Sequence, residues 1–156
     1  MKPLQNIIKS MLFIVCALAL QVPAYAASDH GSQNEAVALV KKAIAYIKTY
    51  GKEKAFAEFS NQDGQFKDRD LYIMVYDMEG NNKAHGANAK LIGKNLSDIK
   101  DADGKFIVKS FIETASAKGT GWVDYKWPNP VSKAIEPKST YVEKYEDILI
   151  GCGIYK

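Results

Sequence analysis

The segment "LYIMVYD" at residues 71–77 decides the fold, because it is a strand whose two faces differ in chemistry. Successive side chains of a β-strand point to opposite sides of the sheet. One face therefore carries aliphatic side chains, those of Leu71, Ile73 and Val75. The other face carries two rings and a thioether, those of Tyr72, Met74 and Tyr76. The first face suits packing against a helix, and the second needs another explanation.

The end of the chain, "DILIGCGIY" at residues 147–155, repeats this division. Its aliphatic face carries Ile148, Ile150, Cys152 and Ile154. Gly151 and Gly153 fall on the other face, and glycine inside a strand often marks the close approach of a ligand or another backbone. We therefore expect the aromatic and glycine face to enclose a small cavity, with simple core packing as the alternative. Cys152 is expected to be a buried small hydrophobe, with a nucleophilic thiol as the alternative.

The segment "GWVDYKWPNP" at residues 121–130 adds more aromatic side chains. If it is a strand, Tyr125 and Trp127 share one face, and Trp122 lies on the opposite face. Because both rings could line a cavity, we place Tyr125 and Trp127 on the aromatic face of the sheet. Trp122 is assigned to the scaffold, and the prolines are expected to end the strand.

The remaining elements follow from hydrophobic spacing and from capping residues. Ser32 and Glu35 form a capping box, which predicts a helix over 33–50 that is interrupted at Gly51. A second helix is predicted over 52–60, a turn-rich segment over 61–70 and a loop over 87–104. A third helix ends at Gly119. Strands are predicted over 71–77, 83–86, 121–127, 138–144 and 147–155. This order describes an α+β domain, with a PAS-like five-stranded antiparallel sheet and a long N-terminal helix across one face.

The first 26 residues have the form of a secretory signal peptide. Lys2 and Lys9 precede the apolar run 11–20, and Ala24-Tyr25-Ala26 fits a small-x-small cleavage site. The apolar run is shorter than the roughly 20 residues that a membrane span needs. We therefore predict cleavage after Ala26 and an exported, periplasmic domain of residues 27–156.

Charge and composition exclude several function classes. Without the signal peptide the chain has 19 basic and 18 acidic residues, a net charge of +1, which argues against a nucleic-acid partner. Arg69 is the only arginine, so an anion site would depend on Lys, His, Tyr hydroxyls or backbone amides. Cys152 is the only cysteine after residue 26, which excludes an intramolecular disulfide and a cysteine-based metal site.

Several motifs occur in an order that resembles the single Cache domain family of PAS-like extracytoplasmic sensors. They are D-L-Y at 70–72, A-H at 84–85, G-K-N at 93–95, D-x-x-G-K at 101–105, G-W-x-x-Y-x-W-x-x-P at 121–130 and G-x-G-I-Y at 151–155. The resemblance covers residues 36–155. It implies a pocket for small organic molecules, often short carboxylates such as acetate, propionate, pyruvate or lactate. Most members of the family lie in the ectodomain of a chemoreceptor or sensor kinase.

Since this sequence stops after the last strand, we expect a free-standing periplasmic member of that family. It would capture a short carboxylate or present it to a separate membrane receptor or sensor kinase. Enzymatic activity is not expected, because no nucleophile elbow, metal pair or phosphate loop accompanies the histidine at position 85. No cofactor is expected, and an adaptor with an unused pocket remains an alternative.

The aromatic face and the resemblance together give six candidate ligand-binding residues: Tyr72, Met74, His85, Tyr125, Trp127 and Lys138. The resemblance places His85 at a turn that borders the pocket and Lys138 at the mouth of a strand. His85, Lys138 and the tyrosine hydroxyls would hold the anionic end, since a buried carboxylate needs strong donors. Met74 and Trp127 would pack around the apolar tail. An exposed loop histidine, a solvated edge lysine and rings in a packed core are the alternatives.

Other conspicuous residues are expected to be structural. Tyr141 and Trp122 fall on the opposite face, and Arg69 is expected in a surface turn. The acidic segment 98–105 does not fit an EF-hand, because with Gly104 at position 6, position 1 would be Ile99. Its aspartates are expected to cap the helix that follows, and no metal site is predicted.

Overall fold

The computed structural model describes residues 30–156, which form three α-helices, a short 3-10 helix and six β-strands. The helices are α1 (Gln33–Tyr50), α2 (Lys52–Phe59) and α3 (Ile107–Lys118), and the 3-10 helix is Ala89–Leu91. The strands are β1 (Lys67–Asp68), β2 (Leu71–Asp77), β3 (Asn82–His85), β4 (Thr120–Pro128), β5 (Ile135–Tyr145) and β6 (Ile148–Tyr155). The predicted signal peptide, residues 1–26, lies outside the described residues. From residue 30 to the end, no helix is long and apolar enough to cross a bilayer.

The strands form one antiparallel sheet in the order β1-β2-β6-β5-β4, with β3 also pairing with β2. The predicted α+β class is confirmed, with one strand more than the five expected. The additional strand is β1, whose two residues pair with Tyr72 and Leu71 in a segment that was predicted to consist of turns. Phe66, which is fully buried, fixes this segment against the domain and explains the pairing.

Helix α1 begins and ends where the sequence predicts. The Ser32 Oγ accepts a hydrogen bond from the Glu35 backbone N–H at 3.3 Å, and Glu35 Oε2 accepts one from the Ser32 N–H at 2.7 Å. These hydrogen bonds, and the nearby Arg69, lower the pKa of Glu35 to about 2. Gly51 ends the helix with a φ of 80°, a conformation that favours glycine.

The aliphatic face of the sheet packs against α1, as predicted. Ile73, Val75, Ile150 and Cys152 are fully buried beneath the apolar stripe of the helix, which consists of Ala36, Val40, Ala43, Ile44 and Ile47. Burying one such aliphatic side chain contributes about 1.5–3 kcal/mol. Burial also raises the pKa of the Cys152 thiol to about 12, so the thiolate is strongly disfavoured. The environment of Cys152 is that of a core residue.

The aromatic face of the sheet packs against α3, which forms a second core. Val108, Phe111 and Ala115 of the helix contact sheet residues that include Met74, Tyr76, Val123, Tyr125, Val142 and Leu149. The sequence predicted helix α3 but did not predict that it packs against the aromatic face of the sheet. Most of the aromatic face is therefore packed core, and the space left for a ligand lies where α3 and the preceding loop meet the sheet.

The connection between β4 and β5 is shorter than predicted. Strand β5 begins at Ile135 rather than at residue 138, which leaves residues 129–134 as a tight turn. Asn129 stabilises this turn, because its N–H donates to the Ala134 carbonyl and its Oδ1 accepts from the Val131 N–H, both at 2.8 Å. These hydrogen bonds let the strands pair up to the turn, although Pro128 is the last residue of β4 and Pro130 lies within the turn.

Candidate functional site

A small cavity lies between the aromatic face of the sheet and α3. Its volume is about 10 Å³, room for about one water molecule. Five of the six predicted site residues border it, namely Tyr72, Met74, His85, Tyr125 and Trp127. Tyr76 and side chains of the covering segments complete the wall, namely Ile99, Ile107, Val108 and Phe111. A two- to four-carbon carboxylate would therefore need these walls to move outward.

The sixth predicted residue, Lys138, lies beside this wall and is buried, with 1% of its surface exposed. Its Nζ donates hydrogen bonds to the Tyr72 hydroxyl at 2.7 Å and to the Tyr155 hydroxyl at 3.1 Å. The same nitrogen lies 4.0 Å and 4.3 Å from the centroids of these two rings. Within residues 30–156, Lys138 forms no ion pair with a carboxylate. The hydrogen-bond partners of the buried Lys138 ammonium are therefore neutral hydroxyl groups.

Burial changes the charge state of Lys138. Removal from water lowers the pKa of the ammonium to about 7, and nearby Cys152 and Asp70 oppose this shift only in part. An anion placed beside Nζ would favour the charged form again. The lysine is therefore suited to hold a carboxylate that comes from outside the chain.

Lys138 reaches Tyr72 because the strand between them carries glycine. Strand β6 lies between β5 and β2, and a Cβ at Gly153 would lie 2.3 Å from both Lys138 Cε and Thr140 Oγ1. A Cβ at Gly151 would lie 2.8 Å from Met74 Cε. The glycines therefore make room for the protein's own side chains. They do not border the cavity, and the prediction that they would do so is wrong.

His85 is buried, with 2% of its surface exposed, and its imidazole is held neutral. Burial and the nearby Lys138 charge lower its pKa to about 3. Its Nδ1 accepts hydrogen bonds from the backbone N–H groups of Ala87 at 3.2 Å and Asn88 at 3.0 Å. The proton of the neutral ring therefore resides on Nε2, which has no hydrogen-bond partner among residues 30–156. His85 thus brings a free N–H donor to the cavity wall, and the alternative of an exposed loop histidine is wrong.

Two further residues of the site were missed from the sequence, Tyr155 and Thr140. The Tyr155 hydroxyl donates to the Pro128 carbonyl at 2.8 Å and accepts from Lys138. The Thr140 Oγ1 lies 2.9 Å from the Tyr125 hydroxyl. Strand alternation could have found both, since Tyr155 follows Gly153 on the same face and Thr140 follows Lys138 in the same way.

The site is a set of neutral or cationic donors. Burial raises the pKa of Tyr72 and of Tyr125 well above the usual value, so both hydroxyls keep their protons. Met74 is 4% exposed and adds a flexible wall, and the Trp127 ring lies 6.3 Å from that of Tyr125. The side chains that border the cavity in the described chain include no Asp or Glu. The site can accept a negative group, but it offers no carboxylate to a ligand ammonium.

The residues expected to be structural have structural contacts. The rings of Trp122 and Tyr141 lie 5.6 Å apart on the face opposite the cavity. Arg69 has a φ of 54° next to β2 and donates to Glu35 Oε1 at 2.6 Å and to Asp68 Oδ2 at 2.8 Å. This contact joins the turn to the first turn of α1.

The acidic segment before α3 closes one side of the cavity, and its predicted capping role is wrong. Helix α3 begins after Phe106 without a side-chain cap. Asp101 instead accepts from the N–H groups of Asp103 and Lys105, both at 2.9 Å, and of Lys126 in β4 at 3.1 Å. The turn at Gly104, with a φ of 83°, brings these donors to the carboxylate before the helix starts. We call residues 98–106 the cover. Between residue 30 and the C-terminus, no three His, Cys, Asp or Glu side chains are grouped as a metal site requires.

Comparison with known proteins identifies the family of this chain. The model of the family described as Single Cache domain 2 matches residues 5–156, nearly the whole chain. The chain belongs to the single Cache domain family. The predicted resemblance is thereby confirmed, and the Cache fold explains the PAS-like arrangement of sheet and helices.

Similar sequences occur in larger signalling proteins. This Cache domain chain is 35% identical over 89 residues to the sensor histidine kinase MctS of Rhizobium johnstonii. It is 31% identical over 90 residues to the methyl-accepting chemotaxis protein McpP of Pseudomonas putida. Each match includes 56% of this chain but only 19% and 16% of the relative, respectively. The chain thus spans less than a fifth of the length of these curated relatives.

Solved structures of chemotaxis proteins share the fold. The crystal structure of a methyl-accepting chemotaxis protein from Vibrio parahaemolyticus has a TM-score of 0.67 at 30% identity, over 78% of this chain and 86% of that one. The periplasmic sensor domain of a chemotaxis protein has a TM-score of 0.63 at 28% identity, with coverages of 78% and 88%. A Cache chemosensory domain studied for carboxylic acid recognition has a TM-score of 0.66 over 78% and 91%, and its 23% identity supports the fold alone. The Cache domain described here is thus homologous to extracytoplasmic sensor domains.

Proposed function

We propose that this Cache domain binds a short monocarboxylate, with the carboxylate beside Lys138 and His85 and the tail between Met74 and Trp127. The observation that carries the proposal is the buried ammonium of Lys138, which forms no ion pair with a carboxylate within residues 30–156. A buried charge without an opposite charge is costly. A ligand anion would supply that charge at a place where the Nε2–H of His85 is also available.

The small cavity restricts the ligand to a few heavy atoms. Since about 10 Å³ holds about one water molecule, even acetate requires some displacement of the wall. Met74 is the wall residue best able to move, because its unbranched side chain has several rotatable bonds. We therefore infer a preference for two to four carbons, with acetate, propionate, pyruvate and lactate as the candidates.

The charges of the site favour monocarboxylates over other small metabolites. An amino acid would bring an ammonium group to a cavity whose described walls include no Asp or Glu. A dicarboxylate would bring a second negative charge to a site with a single cation. Each unpaired charge would have to be desolvated at a cost of several kcal/mol. Both classes are therefore expected to bind much more weakly than monocarboxylates.

The biological setting that we propose is the periplasm. It depends on the signal peptide predicted at residues 1–26, and it is supported by similarity to the periplasmic sensor domain of a chemotaxis protein. The related sequences belong to a sensor kinase and a chemoreceptor. We therefore propose that this domain captures its ligand outside the cytoplasm and presents it to a receptor of that kind.

The test is a binding screen by calorimetry and thermal unfolding with acetate, propionate, pyruvate, lactate, alanine and succinate. A ligand at about 100 times its dissociation constant should stabilise the protein by roughly 2.7 kcal/mol. Lys138→Met should abolish this effect. Lys144→Met, the same substitution at an exposed position of β5, should leave it unchanged.

One observation favours a second candidate function. The aromatic face is largely packed against α3, and the cavity is small. This packing would also suit an adaptor protein that binds no ligand in its pocket. A protein that none of the monocarboxylates stabilises at millimolar concentration would support the adaptor and exclude our proposal.

A further inference from the structure

We propose that capture of the carboxylate is coupled to uptake of a proton by Lys138, so that affinity falls as the pH rises above neutrality. This inference rests on the proposed function and concerns the regulation of the same site. The ligand-free domain would hold a neutral amine in mildly alkaline solution, and the bound carboxylate would convert it to an ammonium. The domain would then bind a monocarboxylate and a proton together.

The geometry around Nζ supports this coupling. Its hydrogen-bond partners are the neutral hydroxyls of Tyr72 on β2 and Tyr155 on β6, at 2.7 and 3.1 Å. These hydroxyl oxygens can accept hydrogen bonds from an ammonium. The lone pair of a neutral amine can instead accept a hydrogen bond from the Tyr72 hydroxyl, while the Tyr155 hydroxyl goes on donating to the Pro128 carbonyl. The same pair of tyrosines can therefore accommodate both protonation states. Within residues 30–156 no carboxylate contacts Nζ directly, so an ion pair fixes neither the charged nor the neutral form of Lys138.

Asp70 is the carboxylate whose charge acts on Lys138, and its oxygens have other partners. Its Oδ1 accepts from the Gly31 N–H at 2.7 Å, and its Oδ2 lies 2.9 Å from Nδ1 of His30. Its influence on Lys138 is weaker than that of burial, because the pKa of the lysine still falls to about 7. A ligand carboxylate in direct contact with Nζ would act much more strongly. Ligand binding would therefore raise the pKa of Lys138.

The other groups that face Lys138 keep their protonation state across the neutral range. His85 on β3 has a pKa of about 3, and the Cys152 thiol on β6 has a pKa of about 12. The pKa values of Tyr72 on β2, Tyr125 on β4 and Tyr155 on β6 are all raised by burial. Lys138 is therefore the facing group whose shifted pKa lies near neutrality.

The pH dependence follows from linkage. Below a pH of about 7 the lysine is already charged in the free protein, so binding takes up almost no proton and affinity is constant. Above that pH, each further unit weakens binding up to tenfold, until the pKa of the complex is reached. Between pH 6 and pH 8 the dissociation constant should therefore rise about tenfold. The ligand itself remains a carboxylate throughout, since carboxyl groups titrate near pH 4.

The experiment is calorimetry of the purified protein with propionate at pH 6 and pH 8, with acetate, pyruvate and lactate in parallel. Each titration is repeated in two buffers of different ionisation enthalpy, which gives the number of protons taken up. We expect almost none at pH 6 and about 0.9 per propionate at pH 8, with about tenfold weaker binding. Equal affinity and no uptake at both pH values would overturn the proposal and leave the proposed function intact.

Two variants test whether Lys138 or another titratable group takes up the proton. Lys138→Arg keeps a charge that does not titrate, so any binding that it retains should be independent of pH and without proton uptake. His30→Gln removes the imidazole beside Asp70 and should leave the proton uptake of the wild type unchanged. Uptake that persists in Lys138→Arg, or disappears in His30→Gln, would assign the proton to another group. Failure of all four carboxylates to bind at either pH would overturn both the proposed function and this inference.

Discussion

The Nζ of Lys138 on β5 lies 2.7 Å from the hydroxyl oxygen of Tyr72 on β2, although β6 separates the two strands. The lysine crosses β6 at Gly153, where no side chain stands in its way. The candidate anion anchor is therefore held by three neighbouring strands of the sheet. Such a rigid support suits a binding site better than a loop does.

The stability of the ligand-free protein should increase as the pH rises above 7. The pKa of Lys138 is about 7 in the folded state and near 10.5 when unfolded. Between these values the unfolded chain binds more protons, so the free energy of unfolding rises with pH. The destabilisation is fully present below pH 7 and disappears progressively towards pH 10.5.

Urea unfolding at pH 6, 7, 8 and 9 measures this effect in a buffer free of carboxylates. Relative to Lys138→Met, the wild type should gain about 2–3 kcal/mol between pH 7 and pH 9. Taking the difference between the wild type and Lys138→Met removes the contributions of other titrating groups to the free energy of unfolding. A constant difference between the two proteins across this range would show that Lys138 does not carry a depressed pKa.

Gly153→Ala should abolish ligand binding, because its methyl group would displace Lys138. The new Cβ would lie 2.3 Å from Lys138 Cε, and overpacking of this kind costs about 1–3 kcal/mol. Gly151→Ala is the comparison variant on the same strand. Its Cβ would lie 2.8 Å from Met74 Cε and 3.3 Å from Thr140 Cγ2 and the Tyr141 carbonyl oxygen, so it disturbs the wall of the site but not Lys138. Calorimetry with propionate should show no binding for Gly153→Ala and weakened binding for Gly151→Ala, and equal loss in both variants would count against a positioning role for Gly153.

His85 should contribute to affinity as a neutral donor. His85→Leu removes the Nε2–H, and loss of a hydrogen bond to a charged group costs about 1.5–3 kcal/mol, which corresponds to at least tenfold weaker binding. His85→Gln offers an N–H donor of its own and should recover part of the affinity. Identical dissociation constants for the Leu and Gln variants would mean that His85 does not donate to the ligand.

The cover, residues 98–106, should control access to the cavity. Asp101→Ala removes the acceptor for the N–H groups of Asp103, Lys105 and Lys126, so these amides should exchange faster with deuterium. Propionate should also associate faster, since Ile99 of the cover borders the cavity. Asp98→Ala is the control, because the exposed Asp98 accepts a hydrogen bond from the Lys109 side chain and, among residues 30–156, none from a backbone N–H. Unchanged exchange and association in Asp101→Ala would exclude the cover as the moving part.

Local patterns in the sequence were sufficient to predict the sheet faces and the first helix. Alternation placed Ile73 and Cys152 against α1 and Tyr125 on the opposite face, and the capping box fixed the start of the helix. These features depend on neighbours within a few residues. The prediction of an α+β sheet sensor domain followed from them together with the order of the motifs.

Features that depend on distant contacts could not be predicted in this way. The Lys138 side chain occupies the space beside Gly153 because β6 lies between β5 and β2 in the sheet. Strand alternation does not reveal this strand order. Asp101 bonds Lys126 of β4, which is 25 positions away, instead of capping the adjacent helix. The burial of His85 likewise results from packing against Tyr72.

The most direct measurement is a crystal structure of the protein with propionate at saturating concentration. We expect a carboxylate oxygen within about 3 Å of Lys138 Nζ and of His85 Nε2, with the ethyl group against Met74 and Trp127. The walls should have moved outward to enlarge the cavity. Propionate bound at any other place, or an unchanged cavity at a concentration that saturates binding in solution, would contradict the account.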